Sequence, residues 1–297
     1  MDNLTVRLAQ KKDFEAISTL IAAQNKRAET HCIHSDTGED AQSLYGEMTR
    51  LDEDGEICFV LSSTGGQVTG AMGCELDVEL GRGWLRGPFI VDGHNDWNAT
   101  ASSLFDGLVA LLPASIRQLD TFLDVENRRG NDFYHSRDFK QIRLVHVYLC
   151  DPPKSIVAEA DLCEQLHPRQ AQAFIELHQA TFPGTYATGQ RILDKIDDRH
   201  QIFEYTQGSE LLGYCCANID EDTGDGSLDF LGVREAARGK GIGRKLLQTA
   251  LKWLFKVKKV PQVELVVHDD LAGARALYES VGFRLKYTGV HNRKVSD

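Results

Sequence analysis

The 297-residue sequence predicts an α+β chain that repeats one arrangement of strands and helices. Three observations carry this. The order of elements begins again after Asp151-Pro152-Pro153-Lys154-Ser155, where two prolines cannot continue a central strand. Val91 and Val233 can be laid over one another without a gap, so the two halves form an internal repeat. In the second half an apolar strand runs into a glycine-rich turn and then an amphipathic helix, the arrangement of an anion-binding helix N-terminus. The predicted domains are 1–150 and 156–297.

In the first half, Thr5 to Leu8 is a strand, and Asp13 is placed to cap a helix whose inner face carries Phe14, Ile17, Leu20 and Ile21. Residues 39–54 read as an acidic helix. Ile57 to Leu61 and Val68 to Val78 read as strands joined by Ser63-Thr64-Gly65-Gly66, a hairpin signal. Then come a strand at Trp84 to Val91, a helix at 100–112, a strand at Phe122 to Val125, a short helix at 130–136 and a strand at Ile142 to Leu149. In the second half, Ile156 to Ala160 reads as a strand. Pro168 opens a helix at a position that tolerates proline, with Phe174, Leu177 and Thr181 at helical spacing. A loop at Thr181 to Tyr186 and a helix at 188–196 follow. The strands Gln201 to Tyr205 and Leu211 to Ile219 turn through Gln207-Gly208. The run Leu228 to Val233 leads into Arg238-Gly239-Lys240-Gly241-Ile242-Gly243, and Ile242, Leu246, Ala250, Leu254 and Val257 mark the apolar stripe of the next helix. A strand at Val263 to Val267, a helix and a last strand complete the copy.

The glycine loop holds the chemistry. The first turn of a helix has unpaired N–H groups and a positive dipole end. Glycine lets a phosphate approach that backbone without a Cβ in the way. Arg238, Lys240, Arg244 and Lys245 add positive charge. The expectation is a pyrophosphate site. The spacing G-x-G-x-G is not the G-x-G-x-x-G of a dinucleotide fold, and no G-x-x-x-x-G-K-[ST] run is present.

The loop resembles the R/Q-x-x-G-x-G/A signature of the GNAT acyltransferase superfamily. Phe230-Leu231-Gly232-Val233 upstream is similar to that family's splayed fourth strand. Ala274-Arg275-Ala276-Leu277-Tyr278-Glu279-Ser280-Val281-Gly282-Phe283 is similar to its A-x-x-L-Y-x-x-x-G-F helix and final strand. The resemblance implies tandem GNAT folds, each a mixed, mostly antiparallel central sheet flanked by helices. It also implies acetyl-CoA as co-substrate, without metal, held by Leu231, Gly232, Val233, Arg238, Gly239, Lys240, Gly241, Ile242, Gly243 and Arg244. In the first copy Asp96, Trp97, Ala99 and Ala101 fall on Arg238, Gly239, Gly241 and Gly243. Asn127, Phe133, Tyr134 and Phe139 keep the helix frame, with Gly130 at its alanine and Asp138 at its glycine. An aspartate there would repel phosphate, so the first copy reads as a degenerate GNAT domain.

Acetyl transfer to an amine has two proton problems. A free alkyl amine, with a pKa near about 10.4, must lose a proton before it attacks, and the departing thiolate must gain one. The resemblance makes Tyr278 the donor to the thiolate. Asp229 shares a strand face with Leu231 and Val233 by alternation, and a carboxyl buried there has a raised pKa and can serve as the base. A strand N–H, that of Leu231, is the expected oxyanion donor. The family's asparagine seven residues before the tyrosine is replaced by Leu271. Phe182 to Tyr186 is the expected acceptor wall, and Asp220-Glu221-Asp222 is an acidic turn. His31-Cys32-Ile33-His34 reads as a polar loop, since no second cluster completes a four-ligand metal set.

Composition bounds the partners. A net charge of -11 does not favour nucleic acid. The seven cysteines include no C-x-x-C pair and read as buried thiols in a reducing compartment. No apolar run nears the roughly 20 residues that span a bilayer, and Met1-Asp2-Asn3 has no signal-segment character, so the expectation is a cytoplasmic protein without a membrane partner. The predicted partner is an amine acceptor, small molecule or peptide, and a homodimer is left open. The predicted function is an acetyl-CoA-dependent N-acetyltransferase acting by direct attack in a ternary complex. The alternative is a non-catalytic acetyl-CoA-binding sensor or structural module.

Overall fold

The computed structural model describes residues 5–35, 40–93, 96–152 and 163–296. The chain forms two compact units, Met1–Val145 with Thr288–Asp297, and His146–Tyr287. The expected strand at 156–160 lies outside the described residues.

In the first unit, β1 (Thr5–Leu8), β2 (Ile57–Thr64), β3 (Gln67–Asp77) and β4 (Arg82–Ile90) pair antiparallel in that order. Gly65 and Gly66 both take positive φ in the β2–β3 turn, which suits a tight hairpin. β5 (Gln118–Asp124) lies parallel to β4, and the end of β12 (Arg284–Val295) lies antiparallel to β5 from Gly289 to Val295. Among the described residues the α-helices of this unit are α1 (Phe14–Asn25), α2 (Ala41–Glu53), α3 (Trp97–Val109) and α4 (Arg128–His135), and the strand β6 (Lys140–Cys150) follows α4. Ile17 and Ile21 of α1, Leu44 and Met48 of α2 and Leu104 and Leu108 of α3 form one core with Phe59, Leu85 and Tyr134. Burying each such apolar side chain contributes roughly 1.5–3 kcal/mol.

Two expectations for this unit are corrected. Asp13 does not cap α1; its carboxylate accepts from Arg7 (2.7 Å) and from the Gln10 N–H (2.8 Å). The helix expected at 100–112 begins at Trp97, because Asp96 caps it and draws the first turn upstream.

In the second unit, the short β7 (Glu164–Gln165), then β8 (His200–Gln207), β9 (Glu210–Ile219) and β10 (Gly226–Val233), pair antiparallel, and β11 (Val263–His268) lies parallel to β10. Helices α5 (Ala171–Thr181), α6 (Gly189–Asp194), α7 (Ile242–Lys252) and α8 (Ala272–Glu279) complete it. Leu246, Leu247, Ala250 and Leu254 pack on Cys215, Leu228 and Val263. Val257, expected on the same stripe, is 63% exposed. The helix widens into a π turn over Trp253–Lys258, and the smaller angular step per residue rotates Val257 off the apolar face.

Candidate active site

β10 and β11 pair only at Gly226 with Val263 and Ser227 with Glu264. Beyond Ser227 the ladder stops while β10 continues to Val233. On its other edge β10 stays paired with β9. Arg234 donates its N–H to Leu212 O (2.8 Å), and the register sets Gly232 opposite Tyr214 and Phe230 opposite Cys216. Hydrogen-bonded pairs alternate along an antiparallel ladder. The N–H and C=O groups of Leu231 and Val233 therefore face away from β9, toward the opened gap. Arg238 Nε donates to Val233 O (3.2 Å). Gly232 faces inward: a Cβ there would lie 2.5 Å from the buried Tyr214 ring.

β10 leads into the glycine loop. Gly239 and Gly241 take φ of 75° and 78°, and Gly241 is the N-cap of α7. An added Cβ at either would meet nothing within 4 Å. The left-handed backbone, which side chains disfavour, is thus what requires glycine there in the protein itself. Gly243 differs: its Cβ would lie 3.1 Å from Leu277, so it sets how closely α7 approaches α8. The first bond into the helix is from Lys245 N–H to Gly241 O (3.1 Å). Among the described residues no backbone acceptor meets the N–H groups of Gly239 to Arg244. Ile242 anchors the turn in the core, and Lys240 is exposed. Arg244 donates to Ser280 Oγ (2.8 Å), which ties α7 to the end of α8.

Tyr278, on α8, is half-buried and packs edge-on against Phe283 (6.0 Å). No described residue offers its hydroxyl a hydrogen bond. Burial, with Cys215 nearby, pushes its pKa well above the ordinary phenol value, so it holds its proton at neutral pH. Asp229 sits where the β9–β10 register shifts between Leu228 and Phe230. Such a bulge re-aims a side chain. Its carboxylate accepts from Asn218 Nδ2 (2.6 Å) and Ser227 Oγ (2.9 Å). Crowding by protein raises its pKa, opposed by Ser227 and by the charges of His200 and Lys195. The residue keeps contact with solvent, and water moderates that rise.

The loop after α5 forms an aromatic wall beside this carboxylate. Phe182 and Tyr186 pack on Phe230, at 5.1 and 5.6 Å. The wall is held from below by the buried His178. Its Nε2–H donates to Ala187 O (2.9 Å), and its Nδ1 accepts from Tyr214 (2.7 Å). Burial lowers the pKa of His178, which suits this neutral tautomer. Sequence reasoning missed Asn218, Ser227, His178 and Tyr214. Ser227 was open to the same alternation that found Asp229. Asn218 required the register that sets it opposite Ser227, and the His178–Tyr214 pair had no sequence signal. Of the acidic turn, Asp220 caps Asp222 and Thr223, and Glu221 pairs with Arg199.

The first unit closes the same two features with its own chain. Asp96 Oδ1 accepts from the N–H groups of Asn98 (2.9 Å) and Ala99 (3.3 Å), occupying the α3 N-terminus with a carboxylate. β4 and β5 pair from Arg82–Gln118 to Leu85–Thr121 and then separate. The His31–Ser35 segment fills the gap: Cys32 bridges Leu123, and Gly87 N–H meets Cys32 Sγ at 3.4 Å. His31 O accepts from Asp124 N–H and Asn127 Nδ2. The polar loop expected at His31 to His34 is this plug. Tyr134, at the position of Tyr278, is fully buried and donates to Gly87 O (2.8 Å). The helix frame is nonetheless kept. Asp138 and Gly282 both take positive φ, and Phe139 and Phe283 donate back to Tyr134 O and Tyr278 O.

A splayed strand edge running into a glycine loop at a helix N-terminus defines the class. Residues 171–283 match the Acetyltransferase (GNAT) family. Across 172 residues the chain is 27% identical to a mycothiol acetyltransferase of Streptomyces avermitilis, covering 54% of each protein. It spans no more than about half the length of the curated relatives it matches. A GCN5-related N-acetyltransferase from Sphaerobacter thermophilus shares the fold over 98% of this chain and 95% of its own, with a TM-score of 0.74 at 20% identity. A tandem GNAT protein from the clavulanic acid biosynthesis pathway does so over 99% of both chains, with a TM-score of 0.66 at 11% identity. Among the described residues no helix is long and apolar enough to cross a membrane.

Proposed function

We propose that the second unit transfers an acetyl group from acetyl-CoA to a primary amine by direct attack within a ternary complex. The observation that supports this most is the open edge of β10 running into the unpaired amides of the Gly239–Arg244 loop. A pyrophosphate fits those amides and the positive end of α7. The amides of a pantetheine arm fit the outward-facing backbone groups of Leu231 and the N–H of Val233 as an added strand would. The acetyl carbonyl then lies at the gap, with the N–H of Leu231 as oxyanion donor.

Asp229, directly or through one water, takes a proton from the ammonium of the acceptor. The neutral amine attacks the thioester carbon. The C–S bond breaks as the tetrahedral oxyanion collapses, and Tyr278 gives its proton to the leaving thiolate. The excess proton on the new amide nitrogen passes to solvent, solvent returns a proton to Tyr278, and Asp229 releases to solvent the proton it took, which is the net proton of the reaction. Phe182, Tyr186 and Phe230 wall the acceptor, and Ser227 and Asn218 hold the Asp229 carboxylate in place.

The test is thiol release from acetyl-CoA against a panel of amines, including the acceptor of the mycothiol acetyltransferases. Amine-dependent release by the full chain supports the proposal. Tight acetyl-CoA binding with no release on any amine would mark a binder without turnover.

A further inference from the structure

The first unit has a polar, aromatic-lined face that the acetyl-transfer reading leaves unused. Glu75, Trp84, Asp120 and Arg293 stand opposite one another across β3, β4, β5 and β12, so their side chains share one sheet face. Two residues along each strand, Arg82, Phe122 and His291 share it. Asp120 lies at its centre with no exposure. One of its oxygens accepts from Arg82 Nε (2.6 Å) and Gln118 Nε2 (2.7 Å), the other from His291 Nε2 (2.6 Å) and Arg293 Nε (2.7 Å).

The way the two arginines hold Asp120 is informative. A guanidinium that serves only an ion pair gains most from a two-pronged grip on its carboxylate, and Arg86 grips Glu47 in that way, at 2.9 and 2.8 Å. Arg82 and Arg293 each give Asp120 only Nε. Among the described residues no hydrogen bond takes up their terminal amino groups. The side chains are 14% and 28% exposed, so both remain partly accessible. Arg82 and Arg293 share Asp120, while Arg86 holds Glu47 and Glu75, so what this face offers an anion is open N–H donors rather than an excess of charge. Beside them lie aromatic rings: Arg82 is over Trp84 at 4.9 Å, Phe122 stacks on the buried His291 at 4.4 Å, and His34 lies 6.2 Å from both Trp84 and Phe122.

We infer that this face binds a small planar carboxylate, its anionic group between the terminal amino groups of Arg82 and Arg293 and its flat body beside the Trp84 and Phe122 rings. The geometry suits it because four terminal amino groups can meet two carboxylate oxygens and aromatic rings receive a flat ligand without polar demands. This site stands whether or not the second unit transfers acetyl groups.

The probe is benzoate, added to the full chain and followed by calorimetry and by the Trp84 indole N–H resonance. Saturable binding of one benzoate per chain that shifts the Trp84 resonance is expected. Arg293→Gln should weaken it at least tenfold, and Phe122→Leu several-fold. Because Arg293→Gln also removes a partner of Asp120, its fold is checked by the wild-type resonance pattern of the first unit; where that pattern is lost, Phe122→Leu decides. Four results overturn the inference: no saturable binding, binding unchanged in Phe122→Leu, benzylamine binding as tightly as benzoate, or inorganic phosphate binding as tightly as benzoate. The third removes the charge preference and the fourth the planar body.

Discussion

Two tyrosines at equivalent places in the repeat should respond oppositely to the same substitution. Tyr134 is fully buried and its hydroxyl meets Gly87 O at 2.8 Å. Tyr134→Phe leaves that carbonyl buried without a donor, which costs about 1–3 kcal/mol. For a unit of this size that is a fall in Tm of roughly 2–12 °C. Tyr278 is half-buried and none of the described residues takes its hydroxyl, so Tyr278→Phe should leave Tm within about 1 °C, since no bond is broken. Activity should run the other way. Loss of the thiolate's proton donor should lower kcat by about 10²–10⁴-fold, with little change in the Michaelis constant for acetyl-CoA, because the ring still packs on Phe283. Tyr134→Phe, assayed well below its own Tm, should keep kcat within about twofold. Thermal denaturation and thiol-release kinetics on the two variants give four numbers. A fall in kcat of less than threefold for Tyr278→Phe refutes its role as donor. Equal losses of kcat at both tyrosines refute the assignment of chemistry to the second unit alone.

Other expectations follow from single contacts. Gly241→Ala should weaken acetyl-CoA binding by calorimetry about tenfold, through the ~1–2 kcal/mol cost of a left-handed non-glycine residue, and Gly241→Asn should weaken it less, since asparagine tolerates that backbone. In the wild type kcat/KM should fall as pH falls through the raised pKa of Asp229, because only the carboxylate accepts a proton; Asp229→Asn should lower the rate and erase that limb of the profile. Asp96→Ala should cost the first unit about 0.5–2 kcal/mol of capping stability, while the acetyl-CoA stoichiometry stays at one per chain because the His31–Ser35 plug remains. Acetyl-CoA at 100 times its Kd should stabilise the protein by about 2.7 kcal/mol, and amide exchange should slow at 239–246 while 96–100 are unchanged.

Local chemistry was legible in the sequence, and non-local register was not. The glycines at 239 and 241 mark a turn that only a left-handed backbone makes, and the structure puts them at φ of 75° and 78°. The L-Y helix frame was legible in both halves because its left-handed end recurs at Asp138 and Gly282. The place of Asp229 on a bulge depends on how β9 meets β10, which no spacing within β10 encodes. The last strand gave no sign that its end pairs with β5 of the first unit, since alternation along a strand is the same whichever neighbour it meets. The His31–Ser35 segment carries two histidines and a cysteine, and its composition says nothing of the gap beside Leu123 that it fills. Val257 was misplaced because a helical period assumes 100° steps, and the π turn breaks them.

The two units meet the same pair of demands from opposite sides. Every helix begins with amides that want an acceptor, and every strand that leaves its neighbour exposes backbone groups that want partners. The first unit satisfies both internally: Asp96 caps α3, and Cys32 with its neighbours fills the gap between β4 and β5. The second unit leaves both unmet. Gly241 caps α7 with no side-chain acceptor, where an aspartate or serine would contribute about 0.5–2 kcal/mol, and β10 turns the backbone groups of Leu231 and the N–H of Val233 to the gap without a strand partner. Stability alone would favour the first solution in both places. The second makes physical sense when an anion and an amide-bearing arm complete the helix and the strand together, and acetyl-CoA carries both groups in the order in which β10 and α7 present their vacant donors.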